Sequence, residues 1–260
     1  MTLTFPNQLD RVRNNVLAQQ DKLERVATIF ADAIASGGLV HVYANGHSRL
    51  SIEEQVIRMG ALTGFHPLMM TAHTTFTNVV GNDGIRTCQS VEKFEGLTPK
   101  MLEEFDIAPG EPLVVITATG TTAAAVDMAL AWQAKYPDNP LIGIASDTQS
   151  RAAATKHSSG KNLHHVVEDA KLGIFLDNGM PMGDVTTEVG PYKVCPLSSI
   201  GSLTLIQSLN ELTIRVLHER GIEHHVLGNM HLKDTQSNYD AWVLDQRKRY
   251  ARATYNPELH

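Results

Sequence analysis

The stretch PLVVITATGTTAAAVDMALAWQAKYPDNPLIGIAS, residues 112–146, decides the fold class. It begins with a short apolar run at 112–118 that is rich in β-branched residues, which is typical of a buried strand. A segment with helical character follows over 121–135, and a second apolar run appears at 140–146. This order of strand, helix and strand predicts parallel strands in a sheet that helices cover.

The same alternation continues on both sides of this stretch. Further apolar runs are LVHVYA at 39–44 and LGIFLD at 172–177. The segments between the runs have helical periodicity over 48–62, 99–105 and, more weakly, 163–168. Near-continuous apolar strands that alternate with helices are typical of a sheet buried on both faces. We therefore predict a three-layer α/β/α sandwich with a mostly parallel sheet.

The flanking segments predict one domain with an extension at each end. Apolar residues spaced as on one side of a helix predict a single long helix over 7–36, which would pack on the core or on a partner subunit. Residues 178–199 are rich in glycine and proline and predict an irregular loop, and a helix is expected over 198–219. The expected division is a helix at 1–38, a central α/β domain at 39–221 and an extension at 222–260 with a short helix at 239–251.

Composition excludes several classes of protein. The 260 residues carry a formal net charge of -6 with no block of like charge, so neither nucleic acid nor a membrane surface is an expected partner. Cys88 and Cys195 lie far apart in the chain, which predicts reduced thiols and no zinc site or disulfide framework. The first residues turn polar at once, and no window approaches the about 18 apolar residues of a membrane span. We expect a cytoplasmic protein.

Hydroxyl residues follow two of the predicted strands, in the segments NGHS (45–48) and TATGTT (117–122). In an open parallel sheet, ligands bind at the carboxyl ends of the strands, beside free backbone N–H groups of the following helices. Glycine lets the backbone approach a ligand closely, and hydroxyls can donate to an anionic oxygen. The segments predict a cradle for a tetrahedral anion, although the same hydroxyls could serve only as helix caps. The candidate anion-binding residues are Asn45, Gly46, Ser48, Thr117, Thr119, Gly120, Thr121 and Thr122.

These two motifs resemble those of the SIS (sugar isomerase) family of phosphosugar-binding domains. The matching segments are YANGHS (43–48) and ITATGTT (116–122), followed by a helix and LIGIASD (141–147). Three further segments resemble an uncharacterised, phosphoheptose-isomerase-like branch: RTCQSVEKFEG (86–96), HSSGKNL (157–163) and LDNGMPMGD (176–184). The resemblance implies a five-stranded sheet of flavodoxin- or Rossmann-like topology and binding of a phosphosugar. This sequence departs from the family in having threonine where serine is usual in the second loop.

The catalytic residues of phosphoheptose isomerases do not carry over intact. Glu54 stands where those enzymes resemble this helix but carry a metal-binding histidine, and Arg58 stands where they carry a catalytic glutamate. We therefore expect neither a metal nor another cofactor. Moving a proton between adjacent carbons of a sugar requires a carboxylate or an imidazole. The candidates for proton transfer are Glu54, Glu92, Glu95, Glu211 and His47, and Asp177 and Asp184 are candidates for binding sugar hydroxyls.

The leading interpretation is an aldose-ketose isomerase that acts on a small phosphorylated or sulfonated sugar through an enediol. Two alternatives remain open. A lyase or etherase that acts on a phosphosugar would use a similar cradle and a similar proton abstraction. A sensor of sugar phosphates would bind without turnover, and the single predicted N-terminal helix argues against one that binds DNA itself. By the resemblance, the chain is expected to form a homodimer or homotetramer.

Overall fold

The computed structural model describes residues 3–74, 78–229, 231 and 239–254. Parts of the predicted N-terminal segment and C-terminal extension, namely 1–2, 230, 232–238 and 255–260, lie outside the described residues. The helices are α1 (Gln8–Leu17), α2 (Gln20–Ala35), α3 (Leu50–Val56), α4 (Thr71–Thr74), α5 (Ile85–Val91), α6 (Leu97–Glu103), α7 (Ala123–Lys135), α8 (Asp147–Ala152), α9 (Leu163–Asp169), α10 (Ser198–Glu219) and α11 (Tyr239–Ala253). The strands are β1 (Val40–Ala44), β2 (Phe65–Leu68), β3 (Leu113–Ile116), β4 (Leu141–Ala145), β5 (Gly173–Asp177), β6 (Val185–Val189) and β7 (Tyr192–Pro196).

The central sheet has five strands in the order β2-β1-β3-β4-β5, and every neighbouring pair is parallel. This order is the flavodoxin-like one. The predicted three-layer α/β/α architecture with a parallel sheet is therefore confirmed. Ala44 pairs with Ile116 at the ends of β1 and β3, so the loops that leave these two strands lie side by side.

Alternate residues of the strands face two separate cores. Val40, Val42 and Ala44 of β1 belong to one core with residues of α1, α2, α3 and α10. Tyr43 belongs to the other core, with residues of α6, α7 and α9. All five side chains of β1 are buried, as expected for a central strand covered on both faces.

The prediction of one continuous helix over 7–36 is wrong in one respect. The segment contains two helices, α1 and α2, separated at Ala18 and Gln19. The Gln19 side chain donates to the carbonyl of Asp177 at 2.9 Å and accepts from the Asp177 N–H at 2.7 Å. The break lets Gln19 satisfy the backbone at the end of β5, a long-range contact that helical periodicity cannot indicate.

The prediction of a helix over 48–62 is also wrong in its length. A 3-10 turn, Gly46–Arg49, precedes α3, which ends at Val56. Gly60 and Gly64 then adopt positive φ values of 91° and 100°. Such angles favour glycine and turn the chain into β2, a strand that the sequence analysis did not identify.

Strand β2 lies at the edge of the sheet, where its proline is tolerated because an edge strand has one unpaired side. Helix α11 covers this edge. Gln246 accepts from the Gly64 N–H at 2.8 Å, and the Tyr250 hydroxyl donates to the Phe65 carbonyl at 2.7 Å. These bonds satisfy backbone groups that would otherwise be open to pairing with another chain.

The segment 178–199 is not the irregular loop that its composition predicts. It contains β6 and β7, which pair as an antiparallel hairpin. Asp184, just before β6, and Cys195, near the end of β7, both have φ of 64°. The left-handed backbone at these residues turns the chain where the hairpin begins and ends, and the short, partly exposed strands lack the apolar alternation by which a hairpin is recognised.

A buried pair of histidines lies between β1, β2 and the chain before β3. His41 Nδ1 lies 3.0 Å from His66 Nδ1, and His41 Nε2 lies 3.1 Å from Glu111 Oε2. If His41 donates to the carboxylate, its Nδ1 can accept from the His66 N–H only while the His41 ring is neutral. Burial and the neighbouring His41 lower the pKa of His66 to about 3, and burial also lowers the pKa of His41.

This pair predicts acid sensitivity. Below the ordinary histidine pKa of about 6.5, the unfolded chain binds protons that the fold excludes until the pH nears 3, so stability must fall through this window. Between pH 7.5 and pH 5, His66 lowers the free energy of unfolding by about 2 kcal/mol. Urea unfolding at the two pH values measures the loss. His66→Gln keeps a hydrogen-bonding group that does not titrate, so this variant should lose less stability between the two pH values than wild type does. The exposed control His218→Gln should lose as much as wild type.

Candidate functional site

A cleft of about 330 Å³ lies at the carboxyl ends of β1 and β3. From β1 the chain proceeds to β2 on one side, and from β3 it proceeds to β4 on the other, so this is the switch point of the sheet. Ligands of open α/β sheets bind at such points. The cleft is lined by Asn45, Gly46, His47, Ser48, Ile85, Cys88, Gln89, Glu92, Thr117, Ala118, Thr119, Thr122, Asp184, Pro196, Ser198 and Ser199.

The loop after β1 forms one wall of the cleft. Asn45 is extended, and Gly46 begins a 3-10 turn with φ of 58°. Ser48 lies inside this turn, and neither the turn nor α3 is capped by a side-chain hydrogen bond. The Ser48 hydroxyl therefore lines the cleft without acting as a helix cap.

The loop after β3 forms the opposite wall. The Ala118 carbonyl accepts from Ser146 N at 3.0 Å and from Asn178 Nδ2 at 3.1 Å, and the Gly120 carbonyl accepts from Leu163 N at 2.8 Å. A side chain at Gly120 would clash with Ser150, because a Cβ there would lie 2.6 Å from its hydroxyl oxygen. Residues just after β4, in α9 and just after β5 thus bind the carbonyls of Ala118 and Gly120. The loop can therefore turn its N–H groups toward the cleft, as anion-binding loops do.

The threonine hydroxyls of this loop differ in their contacts. Thr117 and Thr122 place their hydroxyl oxygens 3.4 Å apart, and Thr119 and Thr121 place theirs 2.9 Å apart. Thr122 precedes α7, but its side chain makes no capping hydrogen bond. Thr117, Thr119 and Thr122 line the cleft, whereas Thr121 and Gly120 lie behind it.

A third wall was missed by the sequence analysis. Ser198 and Ser199, at the start of the 22-residue helix α10, line the cleft beside the hydroxyl loops. The Asp184 carboxylate accepts from Leu197 N at 2.9 Å, Ser198 N at 2.8 Å and the Ser198 hydroxyl at 2.6 Å. Asp184 is therefore the cap of α10 and holds this wall in place. The available signal was a pair of serines just before an apolar helix.

Of the carboxylates predicted for proton transfer, Glu92 is the one that lines the cleft. It follows the last turn of α5, and its Oε1 would lie 3.0 Å from a Cβ built on Gly46. Burial raises the pKa of Glu92, while a hydrogen bond from the Asn45 side chain and the charge of Lys93 act in the opposite direction. A half-buried carboxyl with a raised pKa in a cleft is suited to general acid–base chemistry.

The segment that carries Glu92 is anchored from behind. The Glu92 carbonyl accepts from Ala124 N at 3.1 Å, and the Asp127 carboxylate accepts from Gly96 N at 2.5 Å. Glu95 accepts from Ser158 N at 2.8 Å and from the Ser158 hydroxyl. These bonds to α7 and to the chain before α9 hold Glu92 over the cleft, and they give Glu95 an anchoring role outside it.

The structure does not bring the other predicted polar groups into the cleft. Glu54 is half-buried and pairs with Arg58 at 3.1 Å, and Glu211 is exposed and pairs with Arg215 at 2.7 Å. The Asp177 carboxylate accepts from Asp147 N at 2.9 Å and from Gly179 N at 3.1 Å. His47, by contrast, is exposed at the cleft wall, close to where a ligand would lie.

The metal site of the phosphoheptose isomerases does not fit these residues. The two positions that would correspond to it, Glu54 and Arg58, form an ion pair on the surface of α3 and the residues just after it. Within residues 3–74, 78–229, 231 and 239–254, no group of three or more His, Cys, Asp or Glu side chains could hold a metal ion. None of the helices in the described part of the chain has the length and apolar character needed to span a membrane.

The sheet order and the hydroxyl-lined cleft define a doubly wound α/β protein with a candidate ligand site at the switch point. A family model of the SIS domain matches residues 4–146, which is more than half of the chain. The chain belongs to the SIS domain family, as its motifs predicted. The matched residues include both hydroxyl loops and Glu92.

Two curated relatives match almost the whole chain. A UPF0309 protein of Streptomyces coelicolor is 29% identical over 244 residues, which cover 92% of this chain and 90% of the relative. A UPF0309 protein of Shouchella clausii is 27% identical over 239 residues, which cover 91% of this chain and 92% of the relative. The similarity therefore extends beyond the family match into the hairpin and α10.

Among solved structures, a phosphoheptose isomerase from Neisseria gonorrhoeae has the same fold. It superposes with a TM-score of 0.52 at 12% sequence identity, over 81% of this chain and 95% of that chain. At this identity the likeness concerns the arrangement of strands and helices.

The capping role of Asp184 predicts a stability effect. Asp184→Ala removes three hydrogen bonds at the start of α10 and places alanine at a φ of 64°, so the free energy of unfolding should fall by about 1–3 kcal/mol. Asp184→Asn keeps one acceptor and tolerates the left-handed backbone, so its loss should be smaller. Urea unfolding measures both. Equal stability of all three proteins would contradict the capping role.

Proposed function

We propose that this SIS protein binds a small anionic sugar in the cleft and isomerises it between aldose and ketose through an enediol, with Glu92 as the base. One observation carries the proposal: Glu92 and the hydroxyls of two strand-end loops line the same cleft. A group able to move a proton thus lies beside groups able to hold an anion. Membership of the SIS family and the fold shared with a phosphoheptose isomerase support this assignment.

The anion is held by neutral groups. Among the described residues, no lysine or arginine lines the cleft. The donors are the hydroxyls of Ser48, Thr117, Thr119 and Thr122, together with backbone N–H groups of the loop after β3. Such donors recognise the shape and charge of a tetrahedral anion, so a sulfonate would satisfy them as well as a phosphate.

Glu92 would act on the carbon next to the carbonyl of the bound sugar. The carboxylate takes the proton from that carbon, which leaves an enediol, and returns it to the adjacent carbon. The carbonyl oxygen gains a proton as the neighbouring hydroxyl loses one, so the reaction is a net isomerisation. His47 lies at the wall of the same cleft and is the proposed donor to the carbonyl oxygen. General base catalysis of this kind contributes about 10²–10⁴-fold to the rate.

The direct experiment combines binding and exchange. The purified full-length chain is screened by thermal shift against phosphorylated and sulfonated aldoses and ketoses, and each stabilising sugar is followed by proton NMR in deuterated water. Stabilisation with deuterium incorporation at C1 or C2 is the expected result. Stabilisation without exchange would support a sensor and remove the isomerase, and absence of stabilisation by every anionic sugar would overturn the proposal.

The hydroxyl cradle predicts a difference between two serines one turn apart. Ser48→Ala removes a cleft hydroxyl and should weaken binding of the stabilising sugar by about 1–3 kcal/mol. Ser51 is buried in α3 outside the cleft, and its hydroxyl has no hydrogen-bond partner in the described part of the chain, so Ser51→Ala is a matched control that should leave affinity unchanged. Isothermal titration calorimetry gives both values. Equal affinities for wild type and both variants would exclude Ser48 from the anion site.

Deuterium exchange at C2 of the sugar tests which carboxylate is the base. Glu92→Gln keeps the size of the side chain but cannot take a proton, so C2 exchange should fall by at least about 100-fold while the sugar still binds. Glu54→Gln and Glu211→Gln change members of surface ion pairs and should exchange as wild type does. Exchange that survives Glu92→Gln but is lost in either control would assign the base to that control residue.

A further inference from the structure

The dipeptide Asn45-Gly46 lies beside Glu92, a neighbour that the sequence does not indicate. Gly46 has φ of 58°, and a Cβ on it would lie 3.0 Å from Glu92 Oε1. The space left by the missing side chain is therefore taken by the Glu92 carboxylate. The glycine that predicts close approach of a ligand to the backbone instead allows close approach of the proposed base.

Asn45 contacts the same carboxylate. Its side chain lowers the pKa of the Glu92 carboxyl as a hydrogen-bond donor would, and only 5% of the residue is exposed. An ionised carboxylate can only accept, so the amide must present Nδ2 to Glu92. This orientation leaves Oδ1 buried without a hydrogen-bond partner among the described residues. A buried acceptor without a partner costs free energy, so packing alone does not explain an asparagine at this position.

We propose that Asn45 and Gly46 form a seat for the Glu92 carboxylate, in which Asn45 is a positioning residue that holds Glu92 directed into the cleft. This inference rests on the proposed role of Glu92 as the base. It explains why the half-buried carboxyl group of Glu92 remains able to take a proton. Asn45 acts through Glu92 and need not touch the substrate.

The groups around Glu92 determine how much the pKa of its carboxyl depends on Asn45. Lys93 is exposed on the same segment, and Tyr43 and Asp127 lie behind Glu92 on β1 and α7. His47, Cys88 and Asp184 share the cleft with it. Desolvation raises the pKa of Glu92, and the bond from Asn45 is the larger of the two influences that lower it. Without that bond, only the solvent-screened charge of Lys93 would oppose burial.

The test follows the titration of Glu92 without substrate. The full-length chain is labelled with glutamate carrying ¹³C at the side-chain carboxyl, and the Glu92 signal is assigned by its absence in Glu92→Gln. Two variants are compared with wild type: Asn45→Leu removes the donor at similar size, and Asn45→Asp replaces it with an acceptor. Asn14→Leu, an exposed position on α1, is the control. Urea midpoints identify which variants are folded.

The expected result is that Glu92 titrates at a higher pH in Asn45→Leu and in Asn45→Asp than in wild type or the control. If the screen has yielded a substrate, the acid limb of the kcat/KM profile moves to higher pH by the same amount, and each unit lowers the rate on that limb about tenfold. The loss should lie in kcat more than in KM.

The seat and the enzymatic proposal fail separately. A Glu92 titration that is unchanged in a folded Asn45 variant overturns the seat, whether or not the protein turns over a sugar. Two further outcomes concern the base. If the Glu92 titration shifts but no sugar shows exchange, the seat is supported and the isomerase is excluded. If the Glu92 titration shifts but the pH profile of kcat/KM does not, the link between Asn45 and catalysis is overturned.

Discussion

The cleft depends on the parallel pairing of β1 with β3. Ala44 pairs with Ile116, so both strands end at the same level and their loops leave the sheet side by side. The register is fixed because side chains of β1 enter two different cores on alternate residues, and a slip of one residue would exchange the two faces. Ser48 and Thr117 line the same cleft because the packing of both layers holds these strands in place.

The second constraint is electrostatic. The cleft combines the proposed site for an anion with a carboxylate, and these would repel each other in a partly desolvated space. Two features reduce the conflict. The Asp184 carboxylate is engaged by N–H groups at the start of α10 and so adds little free negative charge to the cleft. Burial raises the pKa of Glu92, which lowers the cost of its charge when an anion binds, and the amide of Asn45 limits that rise.

Much of the fold could be predicted because its main strands are continuous apolar runs. β1, β3, β4 and β5 lie where composition placed them, and both hydroxyl loops follow as expected. β2 was missed because it has four residues and contains Pro67, which a central strand would exclude and an edge strand tolerates. The hairpin of β6 and β7 was missed because exposed strands lack an apolar signal, and the break at Gln19 depends on its distant contact with Asp177.

The sequence by itself determined the fold class, the positions of the hydroxyl loops and the family, because these depend on local patterns of apolar residues and short motifs. It left Glu54, Glu92, Glu95 and Glu211 open as candidates, since each lies in a helix or loop that could face either solvent or cleft. Only the tertiary structure shows which of them lines the cleft. It placed Glu92 against Gly46 and Asn45, bound Glu95 to Ser158, and left the other two carboxylates on the surface. Those outcomes follow from contacts between segments distant in the chain, which no local pattern encodes.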